Sequence, residues 1–277
     1  RDLSASLQSA FENIVVGVIR GLGGGFDGII LSGGCALNVL SNSNIQRTFG
    51  VPVHVPSAPG DDGLSVGAAW FLSRPRVWQD LMFAGMEAWD REELGRIVEE
   101  EGGRKVGVEE VAALLVSGKI IGVMRGRQEF GPRALGNRSL LSLPGRNAKD
   151  RMNKLKKREF YRPVAPVVLD DIKEDVFVDD GVESPYMSFA PVINVEKMGE
   201  RIPAAVHYDH TARPQTAKDG WIAELLREVG KNTDPILINT SFNVHGKPII
   251  NNFRVAVELL GEEDELDCIL LEDFIKC

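Results

Sequence analysis

The sequence predicts an α/β protein, and three observations carry that reading. Short strand-length apolar runs (28–31, 53–55, 119–124, 164–169, 236–239 and 268–271) sit among longer segments whose apolar residues recur every three or four positions. Near the start of the chain these units follow one another over short links as helix–strand–helix–strand–helix, the pattern of an α/β layer. The chain has 277 residues with 43% hydrophobic and 26% charged side chains, enough for a substantial core in one large domain or two ordinary ones.

The first helix is expected over 4–22. Leu7, Phe11, Ile14, Val15, Val18, Ile19 and Leu22 form its stripe, Asp2 or Ser4 its cap, and Gly23-Gly24-Gly25 its stop. The strand at 28–31 runs through Ser32-Gly33-Gly34 into a helix from about Cys35. The strand at 53–55 runs through the loop 56–63 into a small-residue helix through Ala68 and Ala69. Residues 74–90 contain Pro75 and scattered aromatics without a period, so they read as a linker and mark a domain boundary. Beyond it, helices are expected at 91–101, 108–117, 147–158, 219–230 and 253–261, with Trp221, Ile222, Leu225 and Leu226 facing inward. Strands are expected at 119–124, 138–143, 164–169, 186–194, 236–239 and 268–271, and an irregular loop at 126–137. Without strict alternation, this half is α/β or α+β.

Composition excludes several classes. No apolar run reaches the roughly 18–20 residues needed to cross a bilayer. The formal net charge of -8 argues against nonspecific nucleic-acid binding. Cys35, Cys268 and Cys277 have no CxxC spacing and cannot all pair, which suggests a reducing, cytoplasmic setting. His54, His207, His210 and His245 match no familiar metal-binding spacing. The chain opens on Arg1-Asp2 and a helical pattern, without an initiator methionine or signal peptide, and reads as a fragment or processed chain. The charge is uneven: Arg125 to Arg162 holds twelve Lys or Arg against Glu129, Asp150 and Glu159. This island is either a localised anion site or a solvated face.

Six motifs can carry chemistry. Leu31 to Asn38 is a strand, a double glycine and a helix start, either a nucleotide loop or a structural turn. Gly60-Asp61-Asp62-Gly63 offers carboxylates for a metal or hydroxyl, or else a helix cap. Gly126 to Ser139 sets Arg127, Arg133 and Arg138 among glycines, a composition suited to bidentate anion contacts and rare in a purely structural loop. Lys156 to Pro166 is a basic helix end entering a proline-bounded strand. Lys156 and Arg162 can converge if the chain turns at 158–161; a helix-dipole role is the alternative for Lys156 and Lys157. Thr211-Ala212-Arg213-Pro214-Gln215-Thr216 and Asn239-Thr240-Ser241-Phe242-Asn243 complete the set. The last places polar groups at the carboxyl end of a buried strand, a ligand-crevice position or a bonded turn.

Taken in order, SGGCALN, PGDDGLSVGAAW, GRQEFGPRALGNRS, KREFYRPVAP, TARPQT and INTSFNVHGKPI resemble the O-carbamoyltransferase family of nodulation-factor and antibiotic biosynthesis, over essentially the whole chain. The resemblance implies a partial actin/sugar-kinase-like (Kae1-like) α/β segment over 1–76, the C-terminal part of a carbamoyl-transfer domain, and a YrdC-like α/β domain over 77–277. It implies that carbamoyl phosphate and ATP, with Mg²⁺, give carbamoyl adenylate and pyrophosphate, and that the carbamoyl group passes to a hydroxylated small-molecule acceptor beside a bound iron. It assigns Lys156, Arg162 and Arg213 to catalysis, with Asn239, Ser241, Arg133, Arg127 and Arg138 binding substrate. Gly33, Gly34 and Asn38 fall at the nucleotide loop, and Asp61 at the aspartate metal ligand. The fixed cations suit the charge of crowded phosphates, and Asn239 and Ser241 suit a neutral carbamoyl amide.

The departures set further expectations. The family's histidine metal ligands fall upstream of Arg1, so an incomplete iron site is expected. His210 stands where glycine is expected, and Arg125 where glutamine is expected before Gly126. The competing readings are a YrdC-like nucleotide or RNA-binding module without catalysis and a maturation factor carbamoylating a protein cysteine. The compact basic island favours a small anion over a long polyanion, and the extra segments of a maturation factor are not seen. The acceptor is not legible, and an oligomer is compatible with the sequence.

Overall fold

The computed structural model describes residues 2–77, 79–179, 181–244 and 246–277; Arg1 and His245 lie outside the described residues. The first quarter contains α1 (Asp2–Gly21), β1 (Ile29–Ile30), α2 (Val39–Phe49), β2 (Val53–His54) and α3 (Leu64–Ser73). Strands β1 and β2 pair in parallel, Ile29 opposite Val53 and Ile30 opposite His54. Val16 and Ile19 of α1 pack with Ile45 of α2, whereas Leu7, Ile14, Val18 and Leu22 of the expected stripe are exposed.

The rest of the chain builds around one eight-stranded sheet. Its elements are α4 (Leu94–Glu101), β3 (Arg104–Lys105), α5 (Val108–Val116), β4 (Ile121–Met124), β5 (Arg138–Ser142), α6 (Arg146–Leu155), β6 (Ala165–Leu169), α7 (Lys173–Val176), α8 (Val195–Met198), β7 (Gln215–Ala217), α9 (Gly220–Val229), β8 (Ile236–Ser241), α10 (Phe253–Glu262), β9 (Cys268–Leu271) and β10 (Phe274–Lys276). The strand order is β3-β10-β9-β4-β5-β8-β6-β7. Pairs β4–β9 and β6–β7 are parallel; the others are antiparallel. This mixed α/β architecture is the class the sequence predicts.

Helices cover both faces, which explains why the central strands read as continuous apolar runs. Val111, Ala112 and Leu115 of α5 and Ile222, Leu225, Leu226 and Val229 of α9 pack on one side with Ile121, Val123, Leu141, Val167 and Leu237. Met152 and Leu155 of α6, Ile97 of α4 and Phe253, Ala256 and Leu259 of α10 pack on the other with Met124, Leu140, Val168, Ile236 and Ile238.

Several local expectations are corrected. Residues 186–194 do not form a strand; only Val192 makes an isolated bridge with Thr211 and Ile193 one with Phe177. Pro191 has no amide donor, Met187 takes a positive φ of 57°, and side chains capture the amides of Ser188 (Ser184 Oγ), Ala190 (Ser43 Oγ) and Val192 (Asp179 Oδ2). The helix expected from Cys35 begins instead as a 3₁₀ turn, Gly34–Leu37, and restarts at Val39 behind the Asn38 cap. Strands β3, β7 and β10 are additional, too short for periodicity to reveal. Cys268 and Cys277 are joined by a disulfide between β9 and the chain's end, at odds with the reducing setting suggested by cysteine spacing; Cys35 is free and exposed. Among the described residues no helix is long and apolar enough to cross a membrane.

Two loops meet at one tight contact. Gly131 adopts φ 139°, and a Cβ there would lie 2.1 Å from Ser57 O, a backbone atom that cannot yield cheaply. We predict that Gly131→Ala lowers stability by about 2–4 kcal/mol through strain and steric displacement, measurable as a lower midpoint of denaturant unfolding; an unchanged midpoint refutes the contact.

Candidate functional site: a buried cation cluster

The site lies where β8 ends, beside the loop entering β5, the turn after α6 and the approach to β7. Each of these arrivals has a local cause. In the loop 126–137 the Glu129 carboxylate accepts from the amides of Leu135 (2.7 Å), Asn137 (2.8 Å) and Arg138 (3.2 Å), folding the chain around itself. The loop is also laced to the segment expected to be a linker, through Gly85 N to Gln128 O (3.0 Å), Gln128 N to Met86 O (2.9 Å) and Phe130 N to Met82 O (2.9 Å). Arg133 rides on this loop, and burial draws its guanidinium below the usual arginine range.

After α6 the chain reverses at Lys157, whose φ is 49°. Lys157 N donates to Lys154 O (2.9 Å) and Arg158 N to Asn153 O (3.0 Å). Such a left-handed reversal is an ordinary way to end a helix. It carries Arg158 inward and leaves Arg162 at the surface, 56% exposed and paired with Glu159 at 2.6 Å. The sequence reading had Lys156 and Arg162 converging; Arg158 is the arginine whose side chain is brought in.

Lys156 is 7% exposed. Its Nζ donates to Ser241 O (2.7 Å), Ser241 Oγ (3.1 Å), Asn243 O (2.7 Å) and Asn243 Oδ1. Burial, and then the charge of Arg158, draws this ammonium down to about 7. Arg213 is drawn down to about 10, first by burial and then by Arg133 and Arg158. Arg158 is lowered by burial and next by Arg162. These mutual influences gather Arg133, Arg158, Arg213 and Lys156 into one cluster, with Arg162 at its rim.

Asn239, 1% exposed on β8, stands opposite Leu141 of β5 and Ala165 of β6. Its Nδ2 donates to Ala134 O (2.9 Å) and Gln215 Oε1 (3.3 Å), while Gln215 Nε2 donates to Leu135 O (2.8 Å). Two acceptors on Nδ2 fix which way the amide points, with Oδ1 on the far side. Among the described residues three buried side-chain atoms lack a hydrogen-bond partner: Asn239 Oδ1, Arg158 Nη2 and Arg213 Nε. Buried polar groups are rarely left so. All three belong to this one site.

His207 borders the cluster. Its Nδ1 lies 3.1 Å from Thr211 Oγ1, which donates to Asp209 Oδ1 at 2.7 Å. Burial lowers the imidazole pKa, Asp209 opposes that, and Arg213 adds to it. His210 occupies the position where glycine was expected and takes the glycine-like φ of 63°; the turn survives with histidine in it.

Other predicted residues have different roles. Arg138 is fully buried and all five of its donors are taken, by Arg125 O, Asn137 O, Gly126 O and twice by Asn251 Oδ1. It braces the core and has no donor for a substrate. Arg127 is exposed, with Nη2 3.4 Å from Ala84 O. Arg125 stacks on Trp221, 4.7 Å from the ring centre, and donates to Glu272 O and Asp273 Oδ1. Gly33 has φ 92°, a conformation open to glycine, and its amide donates to Pro59 O at 2.6 Å. Gly34 opens the 3₁₀ turn, and Asn38 is engaged as the cap of α2, accepting from Ser41 N (3.0 Å) while pairing with Gln8. Asp61 is exposed at the start of a 3₁₀ turn, and neither it nor Asp62 makes a capping bond to the helix that follows. Among the described residues no three His, Cys, Asp or Glu side chains gather where a metal could sit. One exposed carboxylate does not make an iron site.

Sequence reasoning missed Arg158, Asn153, Gln215 and His207 as parts of the site. All four sat inside or beside quoted motifs, but the turn at Lys157 that selects Arg158 over Arg162 had no residue signal such as glycine.

Comparison with known proteins gives a consistent answer. Residues 1–70 match the family profile described as Carbamoyltransferase N-terminus, and residues 112–276 the one described as Carbamoyltransferase C-terminus. The nodulation protein NolNO of Sinorhizobium fredii is 37% identical over 99% of this chain and 44% of its own length. Nodulation protein U of the same organism is 35% identical over 83% of this chain and 42% of its own. This chain spans about half the length of the curated relatives it matches. Full-length HypF in its phosphate- and nucleotide-bound form is similar over 60% of this chain and 25% of that one, at 21% identity and a TM-score of 0.45, a likeness that carries no argument about the site. Two profiles matched in order, together with relatives aligned over nearly the whole chain, show that it belongs to the carbamoyltransferase family.

Proposed function

We propose that the cation cluster binds carbamoyl phosphate and ATP, that carbamoyl adenylate forms there, and that the carbamoyl group then passes to a hydroxyl of a small-molecule acceptor. In this reading residues 1–76 are the C-terminal part of a Kae1-like transfer domain and residues 77–277 a YrdC-like domain; the separate two- and eight-stranded sheets support the division.

The observation that carries the reading is the trio of buried, unpartnered atoms. Arg158 Nη2 and Arg213 Nε call for acceptors, as phosphate oxygens are, while Asn239 Oδ1 calls for a donor. Carbamoyl phosphate supplies both, its phosphate oxygens accepting and its amide N–H donating. Water cleaves the carbamoyl–phosphate bond, releasing phosphate and leaving carbamate. A carbamate oxygen attacks the α-phosphorus of ATP and expels pyrophosphate. The fixed cations offset the repulsion among these anions without reorganising. Arg162 joins by exchanging Glu159 for a phosphate oxygen, a small cost because exposed ion pairs contribute little.

Incubating the chain with ATP, Mg²⁺ and carbamoyl phosphate should yield carbamoyl adenylate by mass spectrometry, and Lys156→Ala or Arg213→Ala should abolish it. Product unchanged in both variants would remove the cluster from the reaction. A second prediction isolates Asn239. Acetyl phosphate replaces the amide by a methyl and cannot satisfy Oδ1, so the wild type should favour carbamoyl phosphate. Asn239→Ala should narrow that preference by roughly five- to thirty-fold, the equivalent of one buried hydrogen bond, in parallel titrations of both ligands; an unaltered ratio counts against the role.

The low Lys156 pKa makes binding depend on pH. Without ligand the ammonium is half deprotonated near pH 7. An adjacent anion favours the charged form and raises that value, so binding takes up a proton between the two values, and affinity falls as pH climbs above 7. At pH 8 the ligand's phosphate group has passed its own second ionisation, near pH ~6 for a typical phosphate monoanion. Calorimetry there, in buffers of different ionisation enthalpy, should report proton uptake that disappears in Lys156→Met; no uptake in the wild type contradicts the assignment.

A further inference from the structure

We infer that Asn153 is the positioning residue of this site, fixing the Arg158 guanidinium so that its Nη2 is presented to the ligand. Asn153 lies on α6 and is 2% exposed. Asparagine is a poor residue for a helix interior, and its buried amide is costly unless bonded. Here every function is engaged, and every bond runs to the turn that follows the helix. Oδ1 accepts from Arg158 Nε (2.5 Å), and Nδ2 donates to Phe160 O (3.1 Å) and Arg162 O (2.9 Å). That turn has little apolar hold of its own: Phe160 is 76% exposed and Tyr161 64%. The surface pair of Arg162 with Glu159 adds little. Asn153 therefore holds both the backbone of the turn and, through Nε, the roll of the planar guanidinium. Once Nε is engaged, the orientation of the remaining nitrogens is set, and Nη2 is buried without a partner. A leucine at 153 would bury as readily and favour the helix, but would leave Arg158 free to turn.

This inference rests on the proposed carbamoyl-phosphate reading, and its test separates the two. Carbamoyl phosphate is titrated calorimetrically into the full chain as wild type, Asn153→Ala, Arg158→Ala and the double variant, each checked by thermal melting. Asn153→Ala should weaken binding about ten-fold or more, the scale of a hydrogen bond to a charged group. The double variant should bind no worse than Arg158→Ala, because the asparagine acts through the arginine. Equal losses from Asn153→Ala in both backgrounds would reduce it to a fold residue and overturn the inference. Wild-type affinity in Asn153→Ala beside a weakened Arg158→Ala overturns it while sparing the site; wild-type affinity in Arg158→Ala overturns both. If Asn153→Ala does not fold, Arg158→Lys carries the test: it keeps the charge but has no Nε for Asn153 to hold. It should bind about as weakly as Arg158→Ala, and wild-type affinity in it refutes the positioning role.

Discussion

The constraint on which the site depends is the confinement of Arg133, Arg158, Arg213 and Lys156 within reach of one another's charge, partly out of water. Removing a cation from water is expensive, and like charges at close range make it more so. The usual remedy is a carboxylate. Here the hydrogen bonds of Lys156 and Arg158 go to neutral oxygens instead: backbone carbonyls, the Ser241 hydroxyl and the amides of Asn243 and Asn153. The cluster is thus left short of negative charge. Arg213 and Lys156 register that shortage directly, each held below its ordinary protonation range by burial and by neighbouring cations. Fixed cations held this way are arranged in advance for negative charge, without the reorganisation that water would need.

Apart from Glu159 at the rim and Asp209 beside His207, carboxylates such as Glu129, Glu272, Asp90 and Asp267 are engaged elsewhere. Glu129 gathers three loop amides, and Glu272 accepts from Gly126 N. Asp90 accepts from Phe253 N (2.8 Å) and Arg254 N (3.1 Å) at the head of α10. Asp267 accepts from Ile120 N and ties it to Arg151, which also meets Glu265. Carboxylates shape loops and cap helices around the sheet, and Arg151 and Arg254 are paired with them, while Arg138 has its donors taken by neutral oxygens. A chain that is acidic overall can therefore hold a cluster of buried cations, because these carboxylates are engaged in shaping loops and capping helices.

Much of this was legible in the residues. The apolar strand runs and the helical periodicities located nearly every long element, because burial on both faces of a sheet leaves an unbroken hydrophobic signature. The short, polar and exposed strand β3 (Arg104–Lys105) carries no such signature and was missed. The stretch 186–194 was misread as a strand because buried apolar residues look alike whether the backbone bonds to a neighbour strand or to Ser43, Ser184 and Asp179. Within the site, Lys156, Arg213, Asn239 and Ser241 stood in motifs whose chemistry was visible. Arg138 shared that look, yet serves the core; a motif tells which residues are arginines but not where their five donors end up. Arg158 was hidden by the opposite effect, a left-handed lysine at 157 where sequence gives no warning of a reversal.

The first quarter of the chain packs against the segments that lead to two of the cluster's arginines. Gly131 touches Ser57 closely enough to forbid a side chain, and Arg133 follows two residues later on the same loop. Across the seam, Asn42 Nδ2 donates to Ser188 O at 2.9 Å while Ala190 N donates to Ser43 Oγ at 2.8 Å. Ser188 in turn receives its place from Ser184, whose hydroxyl donates to Pro214 O, one residue beyond Arg213. Two arginines of the cluster are therefore located by contacts that reach the segment before residue 76, one through Gly131 and the other through Ser188 and Ser184. The loop 56–63 and the cation cluster thus share one packed support, through Ser57 against Gly131 on the loop that carries Arg133.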